Sequence, residues 1–293
     1  DATDKTKYTV GTNGLLGING NVEKLKIQSD DITNLSLPKS SPLLKALILV
    51  SKSSSATATA TAIDLSGLTD LESLLIAGYS IESLDLTKLN KLKNLGIGAW
   101  DLGANFPEVT DAFGSIPEKA SRISEVKLPA NNVIENFIVR TATLQDGKCD
   151  FDNLPKLKKF LCQSPFFSNF TFAKSTELEI LYATAPTSAI KLNADLGNKP
   201  KLKDITFRNA TLSKFAVSNA TNVVLKDSNA GAIAVEFDNI PAAQALQYIA
   251  SKANASVTSI TLKNITISEE NLVKMIKRLQ TSGGTLKVKG ELL

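Results

Sequence analysis

The amino-acid sequence predicts a right-handed solenoid of the α/β class, in which most coils contain two strands and the last two contain a strand and a helix. Two patterns support this class. A ladder of the form apolar-x-x-apolar-x-apolar recurs along the chain, and residues 68–79 carry it at the same positions as residues 89–100. A related ladder follows each one roughly ten residues later. Because a single coil cannot bury its apolar edge alone, neighbouring coils must stack, with the usual right-handed crossover.

The composition is the third observation, since it suits thin, regularly stacked layers. Hydrophobic residues make up 43% of the 293-residue chain, but aromatic residues make up only 6%. Leu, Ile, Val and Ala must therefore fill the interior. We expect about eleven coils in one continuous domain. Its parts are an N-terminal lead and cap at 1–21, an irregular repeat array at 22–237, and strand–helix repeats with a cap at 238–293.

Each ladder predicts a strand, because apolar-x-apolar is the period of a half-buried strand. The first kind, strand A, is predicted at 22–27, 44–49, 71–76, 92–97, 123–128, 157–162, 178–183, 202–207 and 220–225. The second kind, strand B, is predicted at 32–37, 81–86, 134–139, 167–172 and 212–217, with shorter versions at 63–65, 190–192 and 233–235. Equivalent strands of stacked coils should pair in parallel, so that the A strands and the B strands form two faces.

Three insertions interrupt the regular step. Residues 51–62 are rich in Ser, Thr and Ala and predict a lengthened loop. Residues 101–121 stand where a strand B is expected, and Pro107 with its apolar neighbours predicts a short helix there. Residues 141–153 are the third insertion. Loops on a rigid scaffold often carry its function, so we expect these insertions to be functionally important.

The C-terminal part contains two helical patterns, each following a strand ladder. PAAQALQYIASKA begins with Pro241, which suits the start of a helix. SEENLVKMIKRLQTSGG begins with Ser268, a favourable N-cap residue, and reaches Gly283, which suits the C-terminal end. These patterns predict two strand–helix coils that close the array.

The stretch IDLSGLTDLESLLIAGYSIESLDLTKLNKLKNL resembles the LxxLxLxxN coil of bacterial cell-surface leucine-rich repeat proteins. The stretch ITLKNITISEENLVKMIKRLQTSGGTLKVKG resembles the strand–helix close of the same family. The resemblance covers about 22–290 and implies a curved domain used for binding, often exported and lipid-anchored. One departure concerns the asparagine that normally follows the ladder, because Tyr79, Trp100 and Ser228 stand there. Backbone groups at that corner therefore need other hydrogen-bond partners.

The side-chain inventory argues against catalysis. The chain contains no histidine, which removes the commonest general base, the usual Ser and Cys triads and most catalytic zinc sites. Acid pairs such as Asp30–Asp31 and Asp150/Asp152 leave a carboxylate-pair hydrolase as a remote alternative. The segment DGKCDFD (146–152) lacks the full spacing of a calcium-binding EF-hand loop. We therefore predict a protein that is not an enzyme and has no cofactor and no metal site.

The two cysteines and one column of charges have structural interpretations. Cys162 stands at a ladder position, which indicates a buried thiol, with a bridge to Cys149 as the alternative. Outward positions of strand A form a column of charged residues that should lie close together in stacked coils and support register and solubility. Its members are Glu72, Lys93, Lys158, Glu179 and Lys203.

Aromatic residues provide the candidate partner-binding site. They lie at one corner of the predicted coils and on nearby edges of later coils: Tyr79, Trp100, Phe166, Phe167 and Tyr182. Exposed, they would form a patch for a protein or carbohydrate partner. Alternatively, they point inward and make the corner apolar in place of the missing asparagines.

The charge distribution and hydropathy narrow the classes of partner. Lys and Arg number 33 against 29 acidic residues and are interspersed with them, so nucleic-acid binding is not indicated. The sequence contains no stretch of about 18 apolar residues, so it predicts no transmembrane segment. The polar start at Asp1 indicates a mature or trimmed N-terminus, compatible with a lipid anchor upstream.

The sequence thus predicts an exported bacterial protein, extracellular or anchored at the outer membrane. Its predicted role is the non-enzymatic recognition of a protein or carbohydrate partner. The alternative is a structural spacer or adhesin stalk without a specific ligand.

Overall fold

The computed structural model describes residues 22–30, 32, 34–36, 43–52, 58–59, 62–99, 118–141, 143–163, 168–184, 191–208, 211–227, 233–252 and 257–289. In these ranges the chain forms a parallel β-solenoid with two short helices. The predicted helix within 101–121 lies outside the described residues. Among the described residues, no helix has the length and hydropathy that crossing a bilayer requires.

One face of the solenoid is a continuous parallel sheet of nine strands, here called the front sheet. Its strands are β1 (Lys24–Gln28), β3 (Ala46–Val50), β6 (Ser73–Ala77), β8 (Asn94–Ile97), β10 (Asn136–Arg140), β11 (Lys159–Gln163), β13 (Ile180–Thr184), β15 (Asp204–Arg208) and β17 (Val224–Asp227). Every neighbouring pair is in register without a bulge.

The opposite face is built from three shorter parallel sheets, here called the back sheets. The first pairs β2 (Asn34–Ser36) with β5 (Ala62–Asp64), and the second joins β4 (Ala58–Thr59), β7 (Tyr79–Asp85) and β9 (Arg122–Lys127). The third contains six strands: β12 (Asn169–Phe170), β14 (Lys191–Asn198), β16 (Thr211–Ser218), β18 (Ile233–Asp238), β19 (Val257–Lys263) and β20 (Thr285–Lys289). Residues 141 and 143–153, the described part of the third insertion, lie between the second and third back sheets and contain no strand.

A single hydrophobic core runs between the two faces. Leu74 pairs with Leu95 in the front sheet, and each side chain is only 2% exposed. Inward residues of the back strands, such as Leu84 and Phe215, belong to the same cluster. The stacking of consecutive coils on a shared apolar interior, which the ladders predicted, is therefore confirmed.

The structure corrects the assignment of two predicted strands. Residues 123–128, predicted as strand A, form β9 in a back sheet, and residues 134–139, predicted as strand B, contribute β10 to the front sheet. Because the two kinds of ladder have the same period, the pattern alone could not assign these strands to the front sheet or to a back sheet. In chain order, the insertion 101–121 therefore precedes the back strand β9 and does not stand in its place.

The number of turns is also lower than predicted. The nine front strands define about nine turns where eleven coils were expected. The last two back strands, β19 and β20, follow helices α1 (Ala242–Ser251) and α2 (Glu269–Ser282). Helix α2 begins at Ser268, whose hydroxyl accepts a hydrogen bond from the Asn271 amide, and ends at Gly283 in the left-handed conformation. Both helices lie where the sequence predicted them.

Candidate recognition surface

The two edges of the solenoid differ in regularity. At the turn edge, where a back strand leads into the next front strand, successive short turns repeat from coil to coil. The Leu68 amide donates to the Leu65 carbonyl and Leu71 to Leu68, and Leu86, Leu89 and Leu92 repeat this pattern. Buried leucines at these turn positions extend the core. The turn edge is therefore a structural part of the repeat.

The loop edge, where a front strand leads into a back strand, varies widely. Only Gly78 separates β6 from β7, whereas residues 98–121 separate β8 from β9. Gly78 has a φ of 83°, and a Cβ there would lie 2.0 Å from the Ser51 hydroxyl oxygen, so only glycine fits this connection. Loops of different lengths at the carboxyl ends of parallel strands create a surface that can vary while the core stays constant.

A ladder of alternating charges runs along the turn edge. It passes through eight successive coils, one residue per coil: Glu23, Lys45, Glu72, Lys93, Glu135, Lys158, Glu179 and Lys203. The amide of each later residue donates to the carbonyl oxygen of the preceding one at 2.8 Å. The structure confirms the predicted column and adds Glu23, Lys45 and Glu135, the last of which restores the alternation between Lys93 and Lys158.

Neighbouring charges of this ladder form ion pairs. The Lys93 ammonium lies 2.9 Å from Glu72, and the corresponding distances are 2.7 Å for Lys158–Glu135 and 2.6 Å for Lys203–Glu179. The hydrogen bond from Lys93 lowers the pKa of the Glu72 carboxyl. Each exposed pair contributes roughly 0.2–1 kcal/mol. Because the signs cancel along the edge, the ladder sets register better than it attracts a charged ligand.

Three polar residues take buried positions of the turn edge and satisfy backbone carbonyls there. The Ser175 hydroxyl donates to the Leu154 carbonyl of the preceding coil at 2.9 Å, and the Asn132 amide donates to the Asn153 carbonyl of the next coil at 2.6 Å. The Lys199 ammonium donates to the Leu196 carbonyl at 2.5 Å. Burial lowers the pKa of Lys199 to about 8. Lys199 is only 1% exposed, so these are structural contacts and not a reactive site.

Asparagines stack where the back strands end. The Asn219 side-chain amide donates to Asn198 at 2.7 Å, and Asn239 donates to Asn219 at 2.9 Å. Asn219, Asn239 and Asn264 all have positive φ, which asparagine tolerates better than most residues. This asparagine ladder was not predicted, because asparagines were expected at the other corner, where Tyr79 stands. The dipeptides Ser-Asn, Asp-Asn and Lys-Asn after the back-strand ladders indicate it in the sequence.

The insertion 141–153 bridges the second and third back sheets with side chains. The Asp146 carboxylate accepts hydrogen bonds from the Ser168 amide, at 3.0 Å and 3.1 Å to its two oxygens, and from the Ser168 hydroxyl. Asp152 accepts from the Ala173 amide at 3.2 Å and from Thr171. These carboxylates replace the carbonyl acceptors of a missing strand, and this role explains the acids of DGKCDFD without a cation.

A shallow pocket of about 210 Å³ lies between β9 and this insertion. Its lining includes Glu125, Lys127, Lys148, Asp150 and Asn153. The Glu125 carboxylate already has two partners, because it accepts a hydrogen bond from the Ser83 hydroxyl at 2.7 Å and lies 3.6 Å from the Lys127 ammonium. Opposite charges therefore balance within the pocket. In the described ranges, no three His, Cys, Asp or Glu residues are placed to hold a metal ion.

Both cysteines lie in the core, and neither forms a disulfide. Cys162 lies inside β11 at 1% exposure, as its ladder position predicted, and the alternative of a bridge to Cys149 is wrong. Burial raises the pKa of the Cys149 thiol well above its usual range, so little reactive thiolate forms there.

The outer side of the front sheet divides into two halves. In the half from β3 to β11, the outward face carries a polar row, in which Asn94 donates to Ser73 and Asn136 donates to Asn94. Beside this row lie apolar residues that are at most 2% exposed: Ile48, Val50, Leu75, Ala77, Ile138 and Leu161. They form a second hydrophobic cluster, which the ladders did not predict. Its signal was the continuous apolar runs ALILV and SLLIA, since uninterrupted runs are typical of strands buried on both faces.

In the other half, from β11 to β15, the outward residues become polar around Tyr182. Tyr182 pairs with Thr206 across β13 and β15, and Gln163, Thr184 and Arg208 form the next row on the same face. We call these residues, with Asp204, the Tyr182 patch. The Asp204 carboxylate accepts from Thr206 at 2.9 Å and from Lys226 at 2.9 Å.

The predicted aromatic site residues have different outcomes. Tyr79 is fully buried in the core, and its hydroxyl donates to the Ser29 carbonyl. Tyr79 therefore points inward, as the alternative interpretation expected, and its predicted contact with a partner is wrong. Burial raises the pKa of Tyr79 to about 12. Trp100, Phe166 and Phe167 lie outside the described residues. Tyr182 is half-buried and packs against the second hydrophobic cluster.

The fold and these surfaces define a class, the parallel-strand β-solenoid repeat proteins. No model of a known protein family matches the chain, and no curated protein matches it significantly.

Proposed function

We propose that this chain is a non-enzymatic recognition module of the leucine-rich repeat type. Its partner is a protein or a glycan, bound at the loop edge and on the adjoining Tyr182 patch. The leucine ladders, the buried turn leucines and the C-terminal strand–helix–Gly-Gly–strand sequence support the family assignment. We also propose, from the sequence resemblance, that the protein is exported and lies at a bacterial surface.

The contrast between the two edges carries the functional proposal. Turns at the turn edge repeat the same hydrogen bonds and a neutral charge ladder. Connections at the loop edge range from Gly78 alone to residues 98–121. A scaffold of this design keeps one edge invariant for stacking and leaves the other for binding.

The second candidate is a spacer without a specific ligand, and the neutral ladders favour it. On the outer side of the third back sheet, Lys214 lies 2.5 Å from Asp195 and Lys263 lies 2.6 Å from Glu236. A surface on which charges are already paired offers little to a charged partner.

The test compares matched variants in two binding screens, a random-peptide display library and a glycan array. Recognition predicts enrichment of at least one ligand and a tenfold or greater loss of affinity in Trp100→Ala/Phe167→Ala. The control, Lys91→Ala/Lys201→Ala at the turn edge, should stay within twofold of the parent chain. No enrichment in either screen, or equal losses in both variants, would overturn the proposal in favour of the spacer.

A further inference from the structure

We propose that the insertion between β8 and β9 packs on the second hydrophobic cluster, on the outer side of the front sheet. The covering segment is residues 100–117, which lie outside the described residues. This inference goes beyond the recognition proposal, because it holds equally for a spacer. It adds a third layer to one half of the solenoid and removes the covered strands from the surfaces that a partner can reach.

The burial of the second hydrophobic cluster requires a layer outside the front sheet. Ile48, Leu75 and Ile138 point outward, yet they are only 0%, 1% and 2% exposed. Every apolar side chain that the described ranges contribute to this cluster lies in the front sheet or at Ala99, shortly after β8. An apolar sheet face is buried only when another element packs against it. The covering element therefore lies among the residues outside the described ranges.

The covered area is centred on β8, the strand that the insertion follows. β3 and β11 each lie two strands from β8, at about 10 Å. Beyond them the burial decreases, because Lys26 on β1 is exposed and Tyr182 on β13 is only half-buried. Ser73 and Asn136, one row nearer the turn edge, are also half-buried. An element that leaves β8 at the loop edge is thus placed to reach every covered strand.

Both described ends of the insertion lie at this cluster. Ala99 is a fully buried member of it, and its backbone forms an antiparallel bridge with Lys119, with N–H to O=C bonds of 2.7 Å and 2.9 Å. At the returning end, the Glu118 carboxylate accepts a hydrogen bond from Arg140 at 2.9 Å. Arg140 also donates to the Ala99 carbonyl at 3.2 Å. Because Arg140 shares the outward face of β10 with Ile138, the insertion returns on the outer side of the front sheet.

The composition of the insertion suits this position. Its apolar residues recur at a helical spacing that places them on one face: Phe106, Val109, Phe113 and Ile116. The neighbouring segments suit it less. Residues 53–57 read SSSAT and would place hydroxyls on an apolar face. Residues 164–167 reach at most about 14 Å, less than the roughly 19 Å from β11 to β3.

Photocrosslinking tests the contact directly. The photocrosslinker p-benzoylphenylalanine replaces Phe106 or Phe113 in the full chain, and mass spectrometry of the digested products maps the partners after irradiation. We expect crosslinks to peptides that contain residues 46–50, 73–77 or 136–140. The same photocrosslinker in place of Lys91, an exposed residue at the turn edge, should give none of these crosslinks. Crosslinks from both phenylalanine positions that reach only other peptides, or only a second chain, would overturn the inference.

A fluorescent probe of apolar surface tests the consequence. Phe106→Ser/Phe113→Ser should raise the fluorescence of 8-anilinonaphthalene-1-sulfonate about threefold or more, because the apolar cluster becomes accessible to the dye. It should also lower the midpoint of thermal unfolding. The matched control is Val273→Ser/Ile276→Ser on α2, which removes two apolar side chains that are already 41% and 39% exposed and should cause neither change.

The two experiments decide the inference together. A double serine variant that binds the dye and unfolds like the α2 control contradicts the packing of residues 100–117 on the front sheet. If the double serine variant does not fold, the crosslinking result decides, because the crosslinking proteins change one side chain at a time and keep an aromatic ring there.

Discussion

At the scale of single residues, Lys199 shows how a polar side chain can occupy a core position. Equivalent turn positions in other coils hold Leu68, Leu89 and Leu154, all buried. Lys199 keeps the aliphatic stem in the core and uses its ammonium to satisfy the Leu196 carbonyl. Sequence could not predict this burial, because lysine is almost never fully buried without a partner and NKPKLKD has the composition of an exposed turn.

Lys199 makes stability depend on pH in the alkaline range. Its pKa is about 8 in the folded chain and keeps the ordinary value of 10.5 when unfolded. Between these values the unfolded chain binds more protons, so the free energy of unfolding should rise with pH, by up to about 3 kcal/mol. Urea unfolding at pH 7, 8, 9 and 10 measures this rise.

The control for this prediction is Lys199→Met, which keeps the aliphatic stem and cannot titrate. Its free energy of unfolding should lack the rise between pH 8 and 10. Tyr79 has the opposite effect, because its raised pKa of about 12 lowers stability only above pH 10. Identical pH profiles for both proteins below pH 10 would show that Lys199 is not the titrating group.

At the scale of elements, the charge ladder favours the correct register between neighbouring coils. Parallel, in-register stacking places equivalent residues of adjacent coils side by side, so two like charges would repel at every step. Alternation removes this repulsion at each of the described steps from Glu23 to Lys203. The apolar core alone would not set this order, since many coils carry similar leucines.

Reversing one charge in the ladder should be measurably destabilising. Lys93→Glu places three carboxylates in succession, with Glu72 and Glu135 on either side. We expect a loss of about 1 kcal/mol in the free energy of unfolding, reduced in 1 M salt. Lys93→Gln should cost less than half of this. Urea titrations at low and high salt provide the measurement.

The matched control reverses the charge of an exposed lysine outside the ladder. Lys277→Glu on α2 lies one turn from Lys274, so it creates no like-charge contact there. If Lys277→Glu costs as much as Lys93→Glu, or if salt does not reduce the difference, the ladder has no special role in register.

At the scale of the whole molecule, two end strands of the described sheets carry outward lysines. Lys24 and Lys26 are exposed on β1, at one end of the front sheet, and Lys287 is exposed on β20, at one end of the third back sheet. Charged side chains on edge strands oppose the pairing of one molecule with another. Pairing of two such edges would place lysine against lysine.

Removing these charges should promote association. We expect Lys24→Thr/Lys26→Thr/Lys287→Thr to form larger species than the parent chain at equal concentration, because threonine favours strands and carries no charge. Size-exclusion chromatography with light scattering provides the measurement. A triple Lys→Arg variant keeps the charges and should match the parent. Equal sizes for all three proteins would refute this role of the edge lysines.

The structural features that all coils share could be predicted from the sequence, whereas the features in which coils differ could not. The ladders predicted the shared core and the parallel pairing, and the helical patterns with their capping residues predicted both helices, because each of these signals is local. They could not assign β9 and β10 to faces, since that depends on where the 101–121 insertion lies within its coil. The outward burial of Ile48 and Leu75 is indicated by the continuous apolar runs ALILV and SLLIA, a signal that the alternating ladders do not contain. The carboxylate bridges of Asp146 and Asp152 depend on contacts between coils, which no single repeat encodes.

The alternating ladder has a consequence for how such an array can lengthen or shorten. Adding or losing a single coil within it brings two lysines or two glutamates together, whereas adding or losing a pair leaves every neighbour opposite in sign. The array therefore has a parity: its natural unit of growth is two coils, and any odd rearrangement needs a compensating charge change elsewhere along the turn edge.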